Sequence, residues 1–353
     1  MFERTEAYWN ELTRYAAFHG ETLDALRGRR VLITGAAGLI GTFLADLLLA
    51  GGSRLCLVDL DEDRLTQRFG GAEALLAAAD ATDPARMDEL FDFFRPEYVV
   101  HAASNTSPAD YAKKPVETME TNVLGTAVLL KNCVKYAADR FLFCSSVEAY
   151  GQPDGGDCVF DERFSGYVDC NTLRAGYPSA KRACEALCNA YAGQFGVNFV
   201  TARIGRIYGP TVIPTDAKAP TQFIRDAALG RDITLKSAGT QVYSYGYVAD
   251  CAAALALLLV RGEKGGAYNV ADSGSQEMLR DFAGFCAEAA GTQLAFETGF
   301  DLAAGGYSNI TRAVMDTAKL EALGFRALTH AREGVANTVR FLRETHAFEE
   351  DKS

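Results

Sequence analysis

The chain has 353 residues, 48% of them hydrophobic, which is enough for one compact unit or two intimately joined domains. Its net charge of -11 disfavours nucleic acid and acidic membranes as partners, because a phosphate backbone attracts concentrated positive charge. The nine cysteines are scattered and include no CxxC pair, which favours buried reduced thiols over disulfides or a metal site. No signal-like or membrane-spanning segment stands out, so we expect a cytoplasmic protein without a membrane partner.

The first 28 residues precede the first predicted strand and carry aromatic and leucine side chains near helical spacing. This pattern predicts an amphipathic helix that packs on the body of the protein. Covering the core is its simplest role, and a subunit contact or a lid is the alternative.

Apolar strands then alternate with helices as far as residue 204. The strands are predicted at 31–34, 55–60, up to 80, 98–102, 140–144 and 198–204. Such alternation is typical of a parallel sheet covered on both faces. We therefore predict an α/β fold with a doubly wound parallel sheet, the Rossmann architecture of dinucleotide-binding proteins.

The pattern changes after residue 205, where glycine and proline break the chain and short strands appear. Helices return near 276–290, 316–323 and 331–345. We predict an N-terminal extension and two domains. The extension covers 1–28, the NAD-binding domain covers 29–205 with 243–271 returning to it, and a smaller mixed α/β substrate-binding domain covers 206–242 and 272–353.

Three glycines follow the first predicted strand and open a helix. At Gly35, Gly38 and Gly41 they allow a tight turn and a close backbone approach, and the helix N-terminus favours a pyrophosphate. Asp59 ends the second strand 18 residues after Gly41, where a carboxylate meets the adenosine ribose and repels the extra phosphate of NADP. The pattern therefore favours NAD, with Arg64 nearby keeping NADP as the alternative.

Tyr177 and Lys181 stand four residues apart, which on a helix places them on one face. The cation is expected to lower the tyrosine pKa, so that the phenol can remove a hydroxyl proton while a nicotinamide takes the hydride. Ser146 and Glu148 follow the strand at 140–144, at the carboxyl side of the sheet, where α/β proteins bind ligands. The serine hydroxyl can bind the substrate oxygen and the carboxylate can act as a second base, whereas a polar turn is the structural alternative.

The chain resembles the extended short-chain dehydrogenase/reductases that modify nucleotide sugars in carbohydrate biosynthesis. The motifs that carry the resemblance span nearly the whole chain and are 34–41, 101–103, 121–126, 145–151, Tyr177 with Lys181, 203–210 and 247–250. The resemblance implies that NAD oxidises the sugar at C4 and that Ser146, Glu148, Tyr177 and Lys181 are catalytic. The cofactor contacts that we expect are Gly35, Gly38, Leu39, Ile40, Gly41, Asp59, Asp80, Ala81, Ala102, Ala103, Ser104, Asn122, Tyr177 and Lys181. For Asp80, which would contact the adenine edge, helix capping is the alternative.

Within this family, the run from Ser107 to Tyr111 and the spacing from Glu162 to Arg174 look most like UDP-glucuronate decarboxylases. Val147 stands where sugar 4,6-dehydratases carry an acidic residue. Nucleotide-sugar 4-epimerisation is therefore the first alternative, 4,6-dehydration a weaker one, and non-catalytic NAD sensing a remote one. The expected substrate contacts are Ser107, Tyr111, Arg174, Arg206, Tyr243 and Arg312.

Two positions depart from the family pattern. Tyr243 stands where decarboxylases carry an arginine, and Arg206 stands where the family usually has asparagine. We hypothesise that Arg206, with Arg312, binds the nucleotide diphosphate, and a structural salt bridge is the equal alternative. The resemblance also implies a homodimer formed through helices 115–136 and 178–195.

Overall fold

The computed structural model describes residues 3–105, 111, 113–153, 158–297 and 311–348. Helices within these ranges are α1 (Glu6–Phe18), α2 (Gly20–Leu26), α3 (Leu39–Ala50), α4 (Glu62–Phe69), α5 (Pro84–Phe94), α6 (Pro115–Lys135), α7 (Gly176–Phe195), α8 (Ala219–Ala228), α9 (Val248–Arg261), α10 (Leu279–Ala290), α11 (Ala318–Glu321) and α12 (Ala331–Glu344). Strands are β1 (Arg30–Thr34), β2 (Arg54–Asp59), β3 (Ala74–Ala78), β4 (Tyr98–His101), β5 (Arg140–Ser146), β6 (Val159–Phe160), β7 (Phe199–Ile204), β8 (Arg206–Tyr208), β9 (Ile233–Leu235), β10 (Val242–Tyr247), β11 (Gly266–Val270), β12 (Gln276–Met278), β13 (Leu294–Phe296) and β14 (Arg312–Met315).

Seven strands form one parallel sheet in the order β3-β2-β1-β4-β5-β7-β11. The strand order reverses at β1, which pairs with β2 on one side and with β4 on the other. Buried strands of a parallel sheet read as apolar runs, and this is why the sequence revealed them. The predicted doubly wound α/β fold is confirmed, and the carboxyl ends of β1 and β4 mark the point where such sheets bind ligands.

A smaller sheet has the order β12-β10-β14-β6, with β8 paired to β10. Its strands come from both predicted domains, since β6 lies within 29–205, whereas β12 and β14 lie within 272–353. A separate pair is formed by β9 and β13. The proposed domain boundaries stay a prediction, and the small sheet crosses them.

The N-terminal segment forms two helices where the sequence predicted one. His19 ends α1 and precedes α2, which begins at Gly20. The buried face of α1 includes Tyr8 and Tyr15, whose rings meet Phe43 of α3 at centroid distances of 5.4 and 6.2 Å. The segment therefore covers the core, which is the simpler of the predicted roles.

Two element predictions in the C-terminal part differ from the structure. The helix predicted over 276–290 starts only at Leu279, because 276–278 form the strand β12 that pairs antiparallel with β10. The helix predicted over 316–323 is the single turn α11.

All nine cysteines are unpaired and seven are buried. In the described part of the chain, no helix combines the length and the apolar character that crossing a bilayer requires.

Candidate active site

The glycine loop between β1 and α3 fits closely against the chain after β4. Gly35 has φ of 71°, and a Cβ there would lie 2.7 Å from the backbone nitrogen of Ala103. A Cβ on Gly41 would lie 2.2 Å from the carbonyl oxygen of Gly35. Gly38 is the N-cap of α3, and Leu39 and Ile40 form its first turn. The loop thus leaves a side-chain-free approach to the N-terminus of α3, which suits a diphosphate.

Asp59 lies at the end of β2 and contacts the same loop. Its Oδ2 accepts the N–H of Ala37 at 2.9 Å and its Oδ1 accepts the N–H of Asp61 at 3.1 Å. Arg64, the residue that kept NADP open, forms an ion pair with Asp61. The Asp59 carboxylate therefore lies at the glycine loop, where its charge would repel the 2′-phosphate of NADP.

Asp80 is exposed after β3, and its Oδ1 accepts the N–H of Thr82 at 2.8 Å. The cap of α5 is Asp83, which accepts the N–H groups of Ala85 and Arg86. Helix capping, the structural alternative for Asp80, is therefore wrong. Its contact with adenine stays a prediction, as does that of the buried Ala81.

The chain after β4 is fixed to β1 and α6. The N–H of Ala102 donates to the carbonyl of Thr34 at 3.1 Å. Ser104 donates to Oδ1 of the fully buried Asn122 at 3.0 Å, and Nδ2 of Asn122 donates to the carbonyl of Thr118 at 2.8 Å. These bonds hold the predicted cofactor residues 102–104 beside the glycine loop.

Tyr177 and Lys181 share a buried face of α7, with 5% and 3% of their surface exposed. The Lys181 ammonium lies 5.5 Å from the Tyr177 ring centroid and donates to the carbonyl of Cys144 at 2.9 Å. Helical spacing thus brought the pair together as the sequence predicted.

The predicted effect on the tyrosine pKa is wrong. Burial, and after it the Glu148 carboxylate, raise the pKa of Tyr177 above its ordinary value. Hydrogen bonds to Ser146 and Ser104 and the charge of Arg174 act in the opposite direction on this pKa without reversing it. Sequence spacing shows a neighbouring cation but hides burial, and here burial is the larger cause.

An aromatic and cationic stack covers Tyr177. The Tyr111 ring lies 4.7 Å from the Tyr177 ring, with 12° between their planes, and Arg174 lies 5.0 Å from the Tyr111 centroid. Nη2 of Arg174 donates to both oxygens of Glu148, at 2.7 and 2.9 Å. Tyr111, Arg174, Glu148 and Tyr177 are therefore brought together, whereas Ser107 lies outside the described residues.

The two serines at the end of β5 have different partners. Ser146 Oγ accepts the N–H of Glu148 at 3.2 Å and starts the short turn Val147–Tyr150. Ser145 Oγ donates to Glu185 at 2.6 Å. Ser146, and not Ser145, is therefore the serine that forms a hydrogen bond with Tyr177. The side chain of Val147 is 9% exposed and has no proton to donate.

Three charged residues that support this turn were missed by the sequence analysis. Arg182 donates to the carbonyls of Ala149, Tyr150 and Gly166 at 2.6, 2.9 and 2.7 Å. Arg203 forms a largely buried ion pair with Glu185 at 2.7 Å. The only available signal was indirect, since these charges interrupt the apolar faces of α7 and β7.

The two departures from the family pattern touch each other. The Arg206 guanidinium lies 3.6 Å from the Tyr243 ring centroid, because β8 and β10 are paired. Nε of Arg206 is buried without a hydrogen-bond partner among the described residues, and Arg206 has no ion pair there. The described residues therefore do not contain the structural salt bridge of Arg206 that was the alternative to diphosphate binding. Arg312 begins β14, opposite Val242 of β10.

Residues 31–271, more than half of the chain, match the NAD dependent epimerase/dehydratase family. The chain belongs to this family. It is 32% identical over 235 residues to UDP-glucuronic acid decarboxylase 1 of Xenopus tropicalis, and the match covers 65% of this chain and 53% of that protein. It is 31% identical over 255 residues to UDP-glucuronic acid decarboxylase 6 of Arabidopsis thaliana, covering 71% of each. The chain thus spans about half the length of the first of these relatives.

Among solved structures, the fold is similar to UDP-glucose 4-epimerase of Thermus thermophilus in complex with NAD. The TM-score is 0.77 at 28% identity, covering 89% of this chain and 99% of that one. NAD, the cofactor of the family, fits the residues present, because the cradle at Gly35 and Gly41 is one that a Cβ would fill. The glycine loop and the N-terminus of α3 would hold its diphosphate, and Asp59 would hold its ribose.

Proposed function

We propose that this protein uses NAD to oxidise a nucleotide sugar at C4 and then decarboxylates the 4-keto sugar, with a UDP-linked uronic acid as substrate. One observation carries the proposal: Glu148 is held by Arg174 beside the stack that covers the buried Tyr177. The UDP-glucuronic acid decarboxylases that the chain resembles support the choice of reaction.

NAD, when bound, accepts the C4 hydride and returns it at the end of the cycle. Tyr177 takes the proton of the C4 hydroxyl, and Ser146 donates a hydrogen bond to the same oxygen. Lys181 fixes the site by binding the carbonyl of Cys144, and its charge favours the phenolate. Once the C4 ketone has formed, it accepts the electron pair left by the departing carboxylate as carbon dioxide leaves C5. In this proposal Glu148 completes the step by passing to C5 a proton that it has taken up from solvent.

The diphosphate of the substrate binds Arg206, assisted by Arg312, in this proposal. Arg206 has a buried, unpartnered Nε and no compensating carboxylate among the described residues, and an aromatic face holds it in place. A guanidinium of this kind is available for charge-assisted hydrogen bonds to phosphate. We expect Arg206→Ala to weaken nucleotide-sugar binding about tenfold or more.

Titration calorimetry with UDP and with the UDP sugar measures this effect. Arg231→Ala is a matched control, because the Arg231 side chain lies in the same half of the chain and is 66% exposed. Unchanged affinity in Arg206→Ala would refute the assignment.

A nucleotide-sugar 4-epimerase is the second candidate. An epimerase needs little beyond Tyr177, Ser146 and NAD. Two observations favour it: Tyr243 stands where decarboxylases carry an arginine, and the fold is similar to the UDP-glucose 4-epimerase of Thermus thermophilus. A 4,6-dehydratase is weaker, because the buried Val147 cannot protonate a departing hydroxyl.

Mass spectrometry tests the proposal. The protein is incubated with NAD and a panel that includes UDP-glucuronate and several UDP-, dTDP-, GDP- and CDP-hexoses. Loss of carbon dioxide supports the decarboxylase, loss of water the dehydratase, and an isomer of unchanged mass the epimerase. Tyr177→Phe should abolish any of these reactions, whereas a non-catalytic NAD sensor would keep its function.

The homodimer is a further part of the proposal. Apolar side chains are exposed on α6 and at the end of α7, with Val116 62%, Leu124 49% and Phe195 52% exposed. The two helices pack against each other, so their exposed apolar side chains support an interaction between two copies of the chain. Light scattering after gel filtration checks the expected mass of two chains, and Leu124→Glu should reduce it to one. The cytoplasmic location and the role in carbohydrate biosynthesis also stay proposals.

A further inference from the structure

Arg68 of α4 is a buried arginine that joins two segments around the glycine loop. It is 4% exposed. Its Nη1 donates to Oγ1 of Thr42 at 2.5 Å, to the carbonyl of Thr211 at 3.0 Å and, more weakly, to that of Gly38 at 3.4 Å. Its Nη2 reaches the carbonyl of Val212 at 3.4 Å. One planar group therefore binds both the start of α3 and the segment that follows β8.

The bonds continue from Arg68 into the glycine loop itself. Thr42 accepts the bond from Arg68 and donates its own hydroxyl proton to the carbonyl of Ala36 at 3.2 Å. On the other side, Thr211 donates to the carbonyl of Leu39 at 2.6 Å. The backbone that would face a diphosphate is thus held at Ala36 and at Leu39.

Two residues of the N-terminal segment form hydrogen bonds with Arg68 and with α3. Arg4 donates to the backbone carbonyl of Arg68 at 2.7 Å and binds both oxygens of Asp46 at 2.8 and 2.9 Å. Tyr8 donates to Asp46 at 2.6 Å. Asp46 is 4% exposed and lies four residues after Thr42, on the same face of α3. The charge of a buried carboxylate is thereby satisfied by residues that precede the sheet.

We propose that Arg68 is a positioning residue for NAD, and that Arg4 and Tyr8 support it, so that the N-terminal segment takes part in cofactor binding. A diphosphate needs several backbone N–H groups at fixed spacing, and a loop that is already rigid loses less entropy when it binds. Arg68 supplies this rigidity by tying Thr42 to residues 211–212. The inference concerns NAD binding alone, so it holds whichever sugar reaction the protein catalyses.

The first test compares Arg68→Met and Thr42→Val with Gln67→Met. Gln67 is the neighbouring residue on α4 and its side chain is exposed. Calorimetry on the NAD-depleted protein should give a Kd for NAD that is about tenfold higher in Arg68→Met and Thr42→Val, and within about twofold of wild type in Gln67→Met. Thermal unfolding confirms that each variant is folded before titration.

Thr42→Val removes one hydroxyl and keeps the shape of the side chain, so it remains informative if Arg68→Met does not fold. Folded variants whose Kd stays within about twofold of wild type overturn the proposal. The part played by the N-terminal segment is tested by Tyr8→Phe, with Trp9→Ala as the control, because Trp9 is the next residue of α1 and is 49% exposed. A raised Kd in Tyr8→Phe but not in Trp9→Ala supports it, and equal Kd values refute it.

Discussion

Replacing Glu148 by glutamine separates the two halves of the proposed reaction. The carboxylate accepts two hydrogen bonds from Arg174, and the two side chains are 22% and 28% exposed. Because this pair is partly solvated, its loss should cost about 1 kcal/mol of stability or less. Removing a general acid or base costs about 10²- to 10⁴-fold in the step that it serves. We therefore expect normal folding, C4 oxidation, and a block in the later proton transfer.

The same substitution should move the pH dependence of the first step. The Glu148 charge raises the pKa of Tyr177, so its removal should lower that pKa. The rate of C4 oxidation increases as the phenol ionises, so in Glu148→Gln this increase should occur at a lower pH than in wild type.

Stopped-flow absorbance of the reduced nicotinamide, recorded from neutral to alkaline pH, measures the first step. Release of carbon dioxide measures the second. Glu89→Gln serves as the control, because Glu89 is 66% exposed in a surface pair. If Glu148→Gln released carbon dioxide at a rate within about tenfold of wild type, or if its pH profile moved upward, this reasoning would be refuted.

Two other substitutions test the cofactor preference and the support of the site. Asp59→Asn keeps an acceptor for the Ala37 N–H but removes the charge, so binding of NADP relative to NAD should improve about tenfold in calorimetry; an unchanged ratio contradicts the role of Asp59. Glu185→Gln leaves Arg203, whose side chain is 15% exposed, without its carboxylate partner and should cost about 2–3 kcal/mol in urea unfolding. Glu89→Gln should cost less than about 0.5 kcal/mol, and equal costs would contradict the burial argument.

The sequence revealed the large sheet because strands buried on both faces are continuous apolar runs, and their spacing leaves room for crossover helices. It also placed Tyr177 beside Lys181 and the glycines beside β1, because these relations are local along the chain. The small sheet was harder to predict. Its strands have two to six residues, and β6 pairs with β14 across a large sequence separation.

The contacts that sequence reasoning missed are also non-local. The contact of Arg206 with Tyr243 depends on the register of β8 and β10, and the contact of Arg174 with Tyr111 depends on how α7 meets the start of α6. The pKa of Tyr177 was misjudged because burial has no sequence signature at a single residue. One feature of the sequence indicated that Arg68 is buried: its spacing places it on the same helical face as the apolar Leu65 and Phe69.

The pairing of β6 with β14 constrains how the chain can be assembled. Phe160 lies opposite Met315, so this contact closes a loop of 155 residues and is impossible until nearly the whole chain has been synthesised. The seven strands of the large sheet, by contrast, are all present once residue 270 has left the ribosome. Because domains fold as units during synthesis, the large sheet can form first and serve as a template on which the smaller sheet is completed. A chain interrupted between residues 271 and 311 would therefore contain every strand of the large sheet but would lack β14, and its β6 would have no partner strand of that kind.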